Sequence, residues 1–441
     1  MMSKNRILIV GGVAGGASCA TRARRLCEQC EIVMFDRGPY VSFANCGLPY
    51  HVGDVIEDEQ SLLVATPELF RDRFGIEVRT LTEVTSIDRE TREIEVRDLN
   101  SGEVRREPYD ALVLSPGARA IRPPLPGVDL PGIHVVRTIP DTRRIRDSLA
   151  GASRAVVIGG GFIGLEMAEN LVRRGLDVTL VELAPQVMAS LDAEMAGYLE
   201  DRLVSNGVTL RLGVGVEGFE TGEDGRLVVK IGGGESLDAD LAILAIGVRP
   251  EVTLAEQAGL ELGDGGGIRV DDRMCTSDPR IFAVGDAIEV RNVVTGDVRP
   301  LALAGPANRQ GRIAAASIHR ALGSEPSGSR REEIRFRGVQ ATAVCGVFGL
   351  TVASTGANER ALEQAGIAYE RVYLHPGNHV GDFPGAKPIH IKLLFAPDDG
   401  RILGVQAVGE ADVARRVDVI SMAIQMGGTV FDLEECELCY A

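Results

Sequence analysis

Short apolar runs that end at once in glycine-rich turns dominate the pattern of this chain. Arg6–Val10 reads as a strand, Gly11–Gly16 as a glycine turn, Ala17–Leu26 as a helix and Glu31–Asp36 as a second strand, the beginning of a strand–helix–strand unit. The same alternation returns at Ala155–Ile158, Gly159–Gly164, Leu165–Arg174 and Asp177–Glu182, offset by roughly 150 residues, the scale of one domain. Two nucleotide-binding domains are therefore expected, not a solenoid. Arg122-Pro123-Pro124-Leu125-Pro126-Gly127 can continue neither a helix nor a central strand and reads as the linker into the second of them. A return linker follows Gly247-Val248-Arg249-Pro250. Beyond the Ser/Gly-rich stretch Gly323–Ser329 lies a third region, with a hairpin of Ile389–Phe395, an Asp399-Gly400 turn and Arg401–Val408, then apolar residues at helical spacing over Ala411–Met426.

A chain of 441 residues is long enough for two to four domains, each with its own core. A formal charge of −16 without a long basic run disfavours nucleic acid and anionic membranes as partners. No apolar run is long enough to span a bilayer and no charged leader precedes the first strand, so the expected location is the cytoplasm. Eight cysteines scattered through a chain of this size do not form the dense framework of a small secreted domain, and most are expected to be reduced thiols.

The chemistry starts with the glycines. Gly159-Gly160-Gly161-Phe162-Ile163-Gly164 satisfies GxGxxG between a strand and a helix: its glycines permit the tight turn, the approach of backbone to a pyrophosphate and close packing of helix on strand, while the helix N-terminus faces the phosphates. Glu182, at the end of the next strand, is placed to accept from a ribose 2′-hydroxyl and would repel a 2′-phosphate, which favours NADH over NADPH. The first turn has Gly11 and Gly16 at the outer glycine positions but Val13 in the middle, with Asp36 as its acidic residue. The apolar strand running into Gly285-Asp286 would offer a carboxylate to a sugar-like chain on a bound cofactor; alternatively Asp286 caps the helix that follows. Between the two fingerprints lies Ser42-Phe43-Ala44-Asn45-Cys46-Gly47-Leu48-Pro49-Tyr50.

On these motifs the chain resembles, over nearly its whole length, the flavin-dependent pyridine nucleotide disulfide oxidoreductases, specifically the single-cysteine branch that includes coenzyme A disulfide reductases, coenzyme A persulfide reductases, NADH oxidases and NADH peroxidases. The turn at 11–16 and the run at 42–50 are most similar to the coenzyme A disulfide reductase subgroup. The fold class implied is α/β: two Rossmann-like domains, for FAD (residues 1–118 and 250–324) and NADH (119–249), plus a C-terminal α+β domain (325–441) that makes a homodimer. By resemblance the cofactor contacts are Gly11, Val13, Ala14, Gly16, Asp36, Arg37, Ser42, Asn45, Ser115, Gly117, Gly159, Gly161, Phe162, Ile163, Gly164, Glu182, Gly247, Gly285, Asp286 and Ala304.

Cys46 decides the mechanism. Relatives of the glutathione reductase type carry a second cysteine five residues on, where this chain has His51. Without that partner a single thiolate must store electrons as a mixed disulfide, a persulfide or a sulfenate. If Cys46 opens a helix, as in the family, the dipole would lower its pKa. The peroxidases and oxidases have a histidine where this chain has Ala14, and alanine cannot transfer a proton, which demotes peroxide chemistry. Arg22 and Arg25, three apart on one helical face, are candidates for coenzyme A phosphates or else a solvated basic face; Ser42 and Asn45 are further substrate contacts by resemblance. Tyr440 matches a family tyrosine that reaches the partner subunit's cysteine. A second family tyrosine falls at Phe383, which has no proton to give, so reduction rests on Tyr440 alone or the substrate is a persulfide or polysulfide. Some relatives continue past this point into a sulfur-transfer domain. Cys436 and Cys439 form a CxxC that lacks a second pair for zinc, and Cys345 reads as core. The expected activity is passage of electrons from NADH through FAD to Cys46, reducing coenzyme A disulfide, coenzyme A persulfide or polysulfide; the alternatives are NADH oxidation through a Cys46 sulfenate, or a flavin-bearing redox sensor that docks a protein.

Overall fold

The structure is a computed structural model that describes residues 5–223, 225–323 and 335–439. Residues 324–329 of the Ser/Gly-rich stretch and Tyr440 lie outside the described residues. Three five-stranded sheets organise the described residues. The first is parallel throughout, in the spatial order Ile281–Ala283, Ala111–Leu114, Arg6–Val10, Glu31–Phe35, Glu77–Arg79. Its inner strands are continuous apolar runs because both faces are covered: Leu8, Ile9, Val33, Met34, Leu112 and Val113 are all fully buried. The second repeats the plan with Ile133–Val135, Leu241–Leu244, Arg154–Ile158, Asp177–Glu182 and Val208–Leu212, again all parallel. The third is antiparallel, in the order Ala343–Val347, Leu350–Gly356, Ile402–Gly409, Ile389–Phe395, Glu370–Leu374. The hairpin expected at 389–408 is its centre, and the helix Val413–Met426 packs on it through Val413, Val417 and Ile424.

Two boundaries move from the sequence reading. The helices after the glycine turns begin at Ala14 and Phe162, inside the fingerprints. The last residues of each glycine turn therefore form the first turn of the helix, so that amides inside the motif point along the helix axis.

The chain crosses between the two parallel sheets twice, and the crossings lie side by side. Ala118–Ala120 pairs antiparallel with Val248–Pro250 as a two-stranded ribbon. Inside the first unit, the helix Ala14–Leu26 packs against the long helix Ala304–Ala321 so closely that a Cβ on Gly311 would lie 2.3 Å from the Gly15 carbonyl oxygen. Glycine is required there because any side chain would part the helices.

A buried cation ties the second sheet's unit to the third. The Lys392 side chain, 0% exposed, places Nζ 2.8 Å from Asp192 Oδ2 and 2.8 Å from Glu359 Oε1, and also contacts Glu194. Gln406 donates to Asp192 Oδ2 at 2.7 Å and accepts from the Asp192 amide at 2.8 Å. With its charge matched and its hydrogen bonds made, this lysine is held well above its ordinary pKa, burial being outweighed by the three carboxylates.

Candidate functional site

The two glycine crossovers are built alike. Gly11 has φ +88° and Gly159 φ +107°, the left-handed region that favours glycine. A Cβ on Gly16 would sit 1.9 Å from the Gly11 carbonyl oxygen, and one on Gly164 would sit 1.8 Å from that of Gly159. The last glycine of each motif thus lets the helix press onto the turn. The acidic residue at the end of each second strand folds back on that turn. Asp36 accepts from the amides of Gly12 (3.3 Å) and Gly38 (2.9 Å), while Glu182 accepts from Gly160 (2.5 Å) and Ala184 (2.7 Å). Burial pushes the Asp36 carboxyl up to about 6 against the pull of those amides.

Both crossovers leave amides free for an anion. Neither Val13 nor Gly161 caps its helix with a side chain, and the helix at Ala304 likewise starts uncapped, behind Leu303. A Cβ on Gly161 would meet no atom within 4 Å, so the space over that helix N-terminus is open. Val13, in the middle position of the first turn, does not close it, since the helix starts one residue later. These residues fit the phosphates of two dinucleotides.

Further sequence candidates converge on the first crossover. Ser115 Oγ accepts from the Gly16 amide at 3.1 Å. Gly285 donates to Gln310 at 2.8 Å, and the next residue, Asp286, lies in the 3₁₀ turn Gly285–Ala287. Asp286 does not cap a helix: its carboxylate pairs with Arg137 at 3.1 Å. Arg137 also donates to the Ala118 carbonyl (2.9 Å) and accepts at its own carbonyl from Asn45 (3.2 Å). One residue therefore links three segments: its side chain joins the ribbon next to Gly117 to the Asp286 turn, and its backbone carbonyl holds Asn45 beside Cys46. Arg37 is exposed, Ser42 is buried in a short strand against Leu63–Ala65, Ala304 is exposed, and Gly247 (φ +104°) accepts from Ile121 at the head of the ribbon. Phe162 and Ile163 form the first turn of the second fingerprint helix.

Cys46 is a free, exposed thiol in the 3₁₀ turn Asn45–Gly47, directly before the short helix Leu48–Val52. His51 is buried, its Nδ1 2.7 Å from the Ile56 carbonyl. The expected lowering of the thiol pKa is not found. Burial and the negative charge of Glu166 push Cys46 up, against one backbone amide. A 3₁₀ turn and a helix of five residues supply too little dipole to reverse that balance.

Glu166, on the second fingerprint helix, carries no sequence signal as a functional residue, although it lies two positions past Gly164. Burial raises it to about 7, and it accepts from the Tyr50 hydroxyl at 3.4 Å. Arg137 was equally invisible, because its partners are distant in the chain.

The remaining candidates are dispersed. Arg22 is half-buried and Arg25 exposed, and neither has a polar contact with any described residue. Arg24 between them is consumed by five carbonyls. Phe383 is 55% exposed, its ring 5.0 Å from that of His379. Cys436 and Cys439 are exposed and free, while Cys345 is buried as expected and its thiol is pushed up by burial. The one departure among the thiols is a disulfide between Cys27 and Cys30. No described helix is long and apolar enough to cross a membrane.

Residues 5–313 match the family model described as "Pyridine nucleotide-disulphide oxidoreductase", and residues 342–439 match its dimerisation domain. The chain belongs to the pyridine nucleotide-disulphide oxidoreductase family. Within that family it is 34% identical to the coenzyme A disulfide reductase of Staphylococcus epidermidis over 439 residues, 99% of this chain and 96% of that protein. The structure of reduced CoADR-RHD from Bacillus anthracis superposes with a TM-score of 0.94 at 46% identity, covering 100% of this chain and 77% of that one. The NAD-dependent persulfide reductase from A. fulgidus gives 0.93 at 35% identity, covering 99% and 80%. The water-forming NADH oxidase from Lactobacillus brevis gives 0.92 at 28% identity, covering 99% and 94%. The members of this oxidoreductase family that are similar to the chain thus include enzymes named for disulfide, persulfide and oxygen chemistry.

Proposed function

We propose that the protein is an FAD-dependent, NADH-using cytoplasmic homodimer that reduces coenzyme A disulfide or coenzyme A persulfide, with polysulfide as a further substrate of the same class. The observation that carries the reading is one free, exposed cysteine between two dinucleotide crossovers, with His51 where a second sulfur would stand. The first crossover, with Asp36, Ser115, Gly117, Gly285 and Asp286, would hold FAD; the second, with Gly161 and Glu182, would hold NADH. FAD, when bound, supplies the passage of the nicotinamide's electron pair to sulfur.

The protein's own part centres on Cys46. As thiolate it attacks one sulfur of the substrate's S–S bond, keeps that half as a mixed disulfide and releases the other as a thiolate that takes up a proton. Two electrons then return Cys46 to thiolate and free the second half as a thiol. With a persulfide, attack on the outer sulfur releases the coenzyme A thiol and leaves a cysteine persulfide, which the same electrons convert to thiolate and sulfide. Arg22 and Arg25, on a helix face without polar partners, are available for the substrate's phosphates. Proton supply falls to Tyr440, since Phe383 cannot provide it. Ala14 disfavours the rival reading, NADH oxidation through a Cys46 sulfenate, because no acid–base side chain stands there. Anaerobic NADH oxidation with coenzyme A disulfide and with coenzyme A persulfide tests the proposal. Turnover of either that vanishes in Cys46→Ser supports it, and oxygen consumption without sulfur turnover refutes it.

A further inference from the structure

The first fingerprint helix ends in a second sulfur pair that the proposed mechanism does not use. Cys27 is the last capping residue of Ala14–Leu26, and Cys27-Glu28-Gln29-Cys30 closes as a disulfide-bonded CxxC. The two intervening residues are exposed, Cys27 is half-buried and Cys30 is buried. An incoming thiol therefore reaches Cys27 first. The Cys30 amide donates to Cys27 Sγ at 3.1 Å, a hydrogen bond that favours a thiolate at Cys27 when the pair is reduced. Cys27 and Cys30 line a small, largely apolar cavity together with Ile7, Ala23 and His319. The turn is anchored to its surroundings by one side chain. Arg24 donates to the carbonyls of Cys27 (3.3 Å), Glu28 (2.7 Å) and Cys30 (2.7 Å), and to those of Phe74 and Gly75 (2.8 Å each).

We propose that Cys27 and Cys30 form a second thiol–disulfide exchange site, one that equilibrates with the low-molecular-weight disulfides and thiols the enzyme meets and couples their ratio to the helix bearing Arg22 and Arg25. In the oxidising direction the Cys27 thiolate attacks a small disulfide, forming a mixed disulfide and releasing one thiolate, which takes up a proton. Cys30, losing its proton, then attacks Cys27 Sγ, closes the internal disulfide and releases the second thiol. Two thiols of the pair are oxidised and one small disulfide is reduced to two thiols. In reverse, two small thiols reopen the pair. The coupling arises because the disulfide and Arg24 hold the same turn, Arg24 through three of its four carbonyls; opening the ring removes one of these restraints and loosens that turn and with it the last helical turn, which contains Arg25. The coupling, though not the exchange, rests on the substrate reading given above.

The test is made on the purified flavin-loaded protein, equilibrated anaerobically in glutathione and glutathione disulfide at varied ratios and trapped by alkylation. Trypsin releases residues 26–37, which contain Cys27 and Cys30 and no other cysteine. The peptide is expected to pass from one-tenth to nine-tenths doubly alkylated over roughly an eighty-fold change in the ratio of squared glutathione to its disulfide, as a two-electron couple requires. A peptide that stays disulfide-bonded, or stays alkylated, at every ratio would overturn the exchange site. For the coupling, Cys27→Ala/Cys30→Ala is compared with the oxidised protein. KM for coenzyme A disulfide is expected to rise about fivefold, the low end of site-to-site coupling, with kcat retained. An unchanged KM would overturn the coupling while leaving the alkylation result standing. The alkylation readout does not depend on turnover, so failure of the substrate reading would show separately, as absent Cys46-dependent activity.

Discussion

Gly161 and Gly164 lie three residues apart in one motif, yet the structure assigns them different work, and alanine at each should separate the two roles. A Cβ at Gly161 meets nothing within 4 Å, and the residue's φ of −82° suits any amino acid. Gly161→Ala should therefore leave stability within about 0.5 kcal/mol of the parent, the range of substitutions that disturb no packing. The methyl group would instead occupy the open space over the uncapped helix N-terminus, where a pyrophosphate would lie. Crowding of that order costs about 1–3 kcal/mol, a rise of roughly 5- to 150-fold in KM for NADH. At Gly164 the Cβ would lie 1.8 Å from the Gly159 carbonyl oxygen, so helix and turn must part before any ligand arrives. Gly164→Ala should destabilise the apoprotein by about 1–3 kcal/mol, visible as a midpoint several degrees lower, and weaken NADH as a consequence. The assay pairs thermal unfolding with KM for NADH, and flavin content is a control because the first crossover is untouched. A Gly161→Ala protein that loses stability, or that binds NADH as the parent does, would refute this assignment.

Other outcomes follow from the same geometry. Glu182→Ala removes the acceptor facing the Gly160 and Ala184 amides and should raise KM for NADH about tenfold while narrowing the preference over NADPH, measured with both nucleotides. Burial and the Glu166 charge both raise Cys46, and Glu166 itself titrates near 7; in Glu166→Gln the like charge is gone, so the pH profile of Cys46 alkylation should move to lower pH, and an unmoved profile would disprove the coupling. Lys392→Met leaves Asp192, Glu194 and Glu359 facing one another with only Arg371, on the Glu359 side, as a counter-charge and should cost about 3–5 kcal/mol by denaturant titration. In the parent, burial raises Glu194 and Glu359, but hydrogen bonds outweigh it and lower both, those to Lys392 first, with Tyr373 assisting at Glu194 and Arg371 at Glu359. Their contribution is thus present above the usual carboxylate pKa and is lost as pH falls through the depressed values, so the variant should be less acid-sensitive than the parent.

What the sequence shows depends on how local the cause is. Both crossovers and the central hairpin of the third sheet are written in apolar runs, turns and glycine spacing, so their strands fall within a residue or two of expectation. The helix starts at Ala14 and Phe162 were obscured because glycine-rich segments score as turns even where their amides already join the helix. Cys46 was legible from its phrase and from the missing partner at His51. Its pKa direction was not, since that depends on burial and on Glu166, far away in sequence. The Arg137–Asp286 and Tyr50–Glu166 contacts span 149 and 116 residues, and no periodicity reports pairings of that kind. Cys27 and Cys30 were visible as letters, but a cysteine count alone favoured reduced thiols.

In the proposed reaction Cys46 alone carries electrons to a sulfur–sulfur bond. The most direct measurement is a stopped-flow comparison of the FAD-loaded protein with Cys46→Ser, in which each is reduced anaerobically with NADH and then mixed with coenzyme A disulfide or persulfide. Both proteins are expected to bleach the flavin absorbance on reduction, and only the parent to return electrons to the sulfur substrate and release coenzyme A thiol. Equal sulfur turnover by Cys46→Ser, or a parent flavin that both sulfur substrates leave reduced, would contradict it.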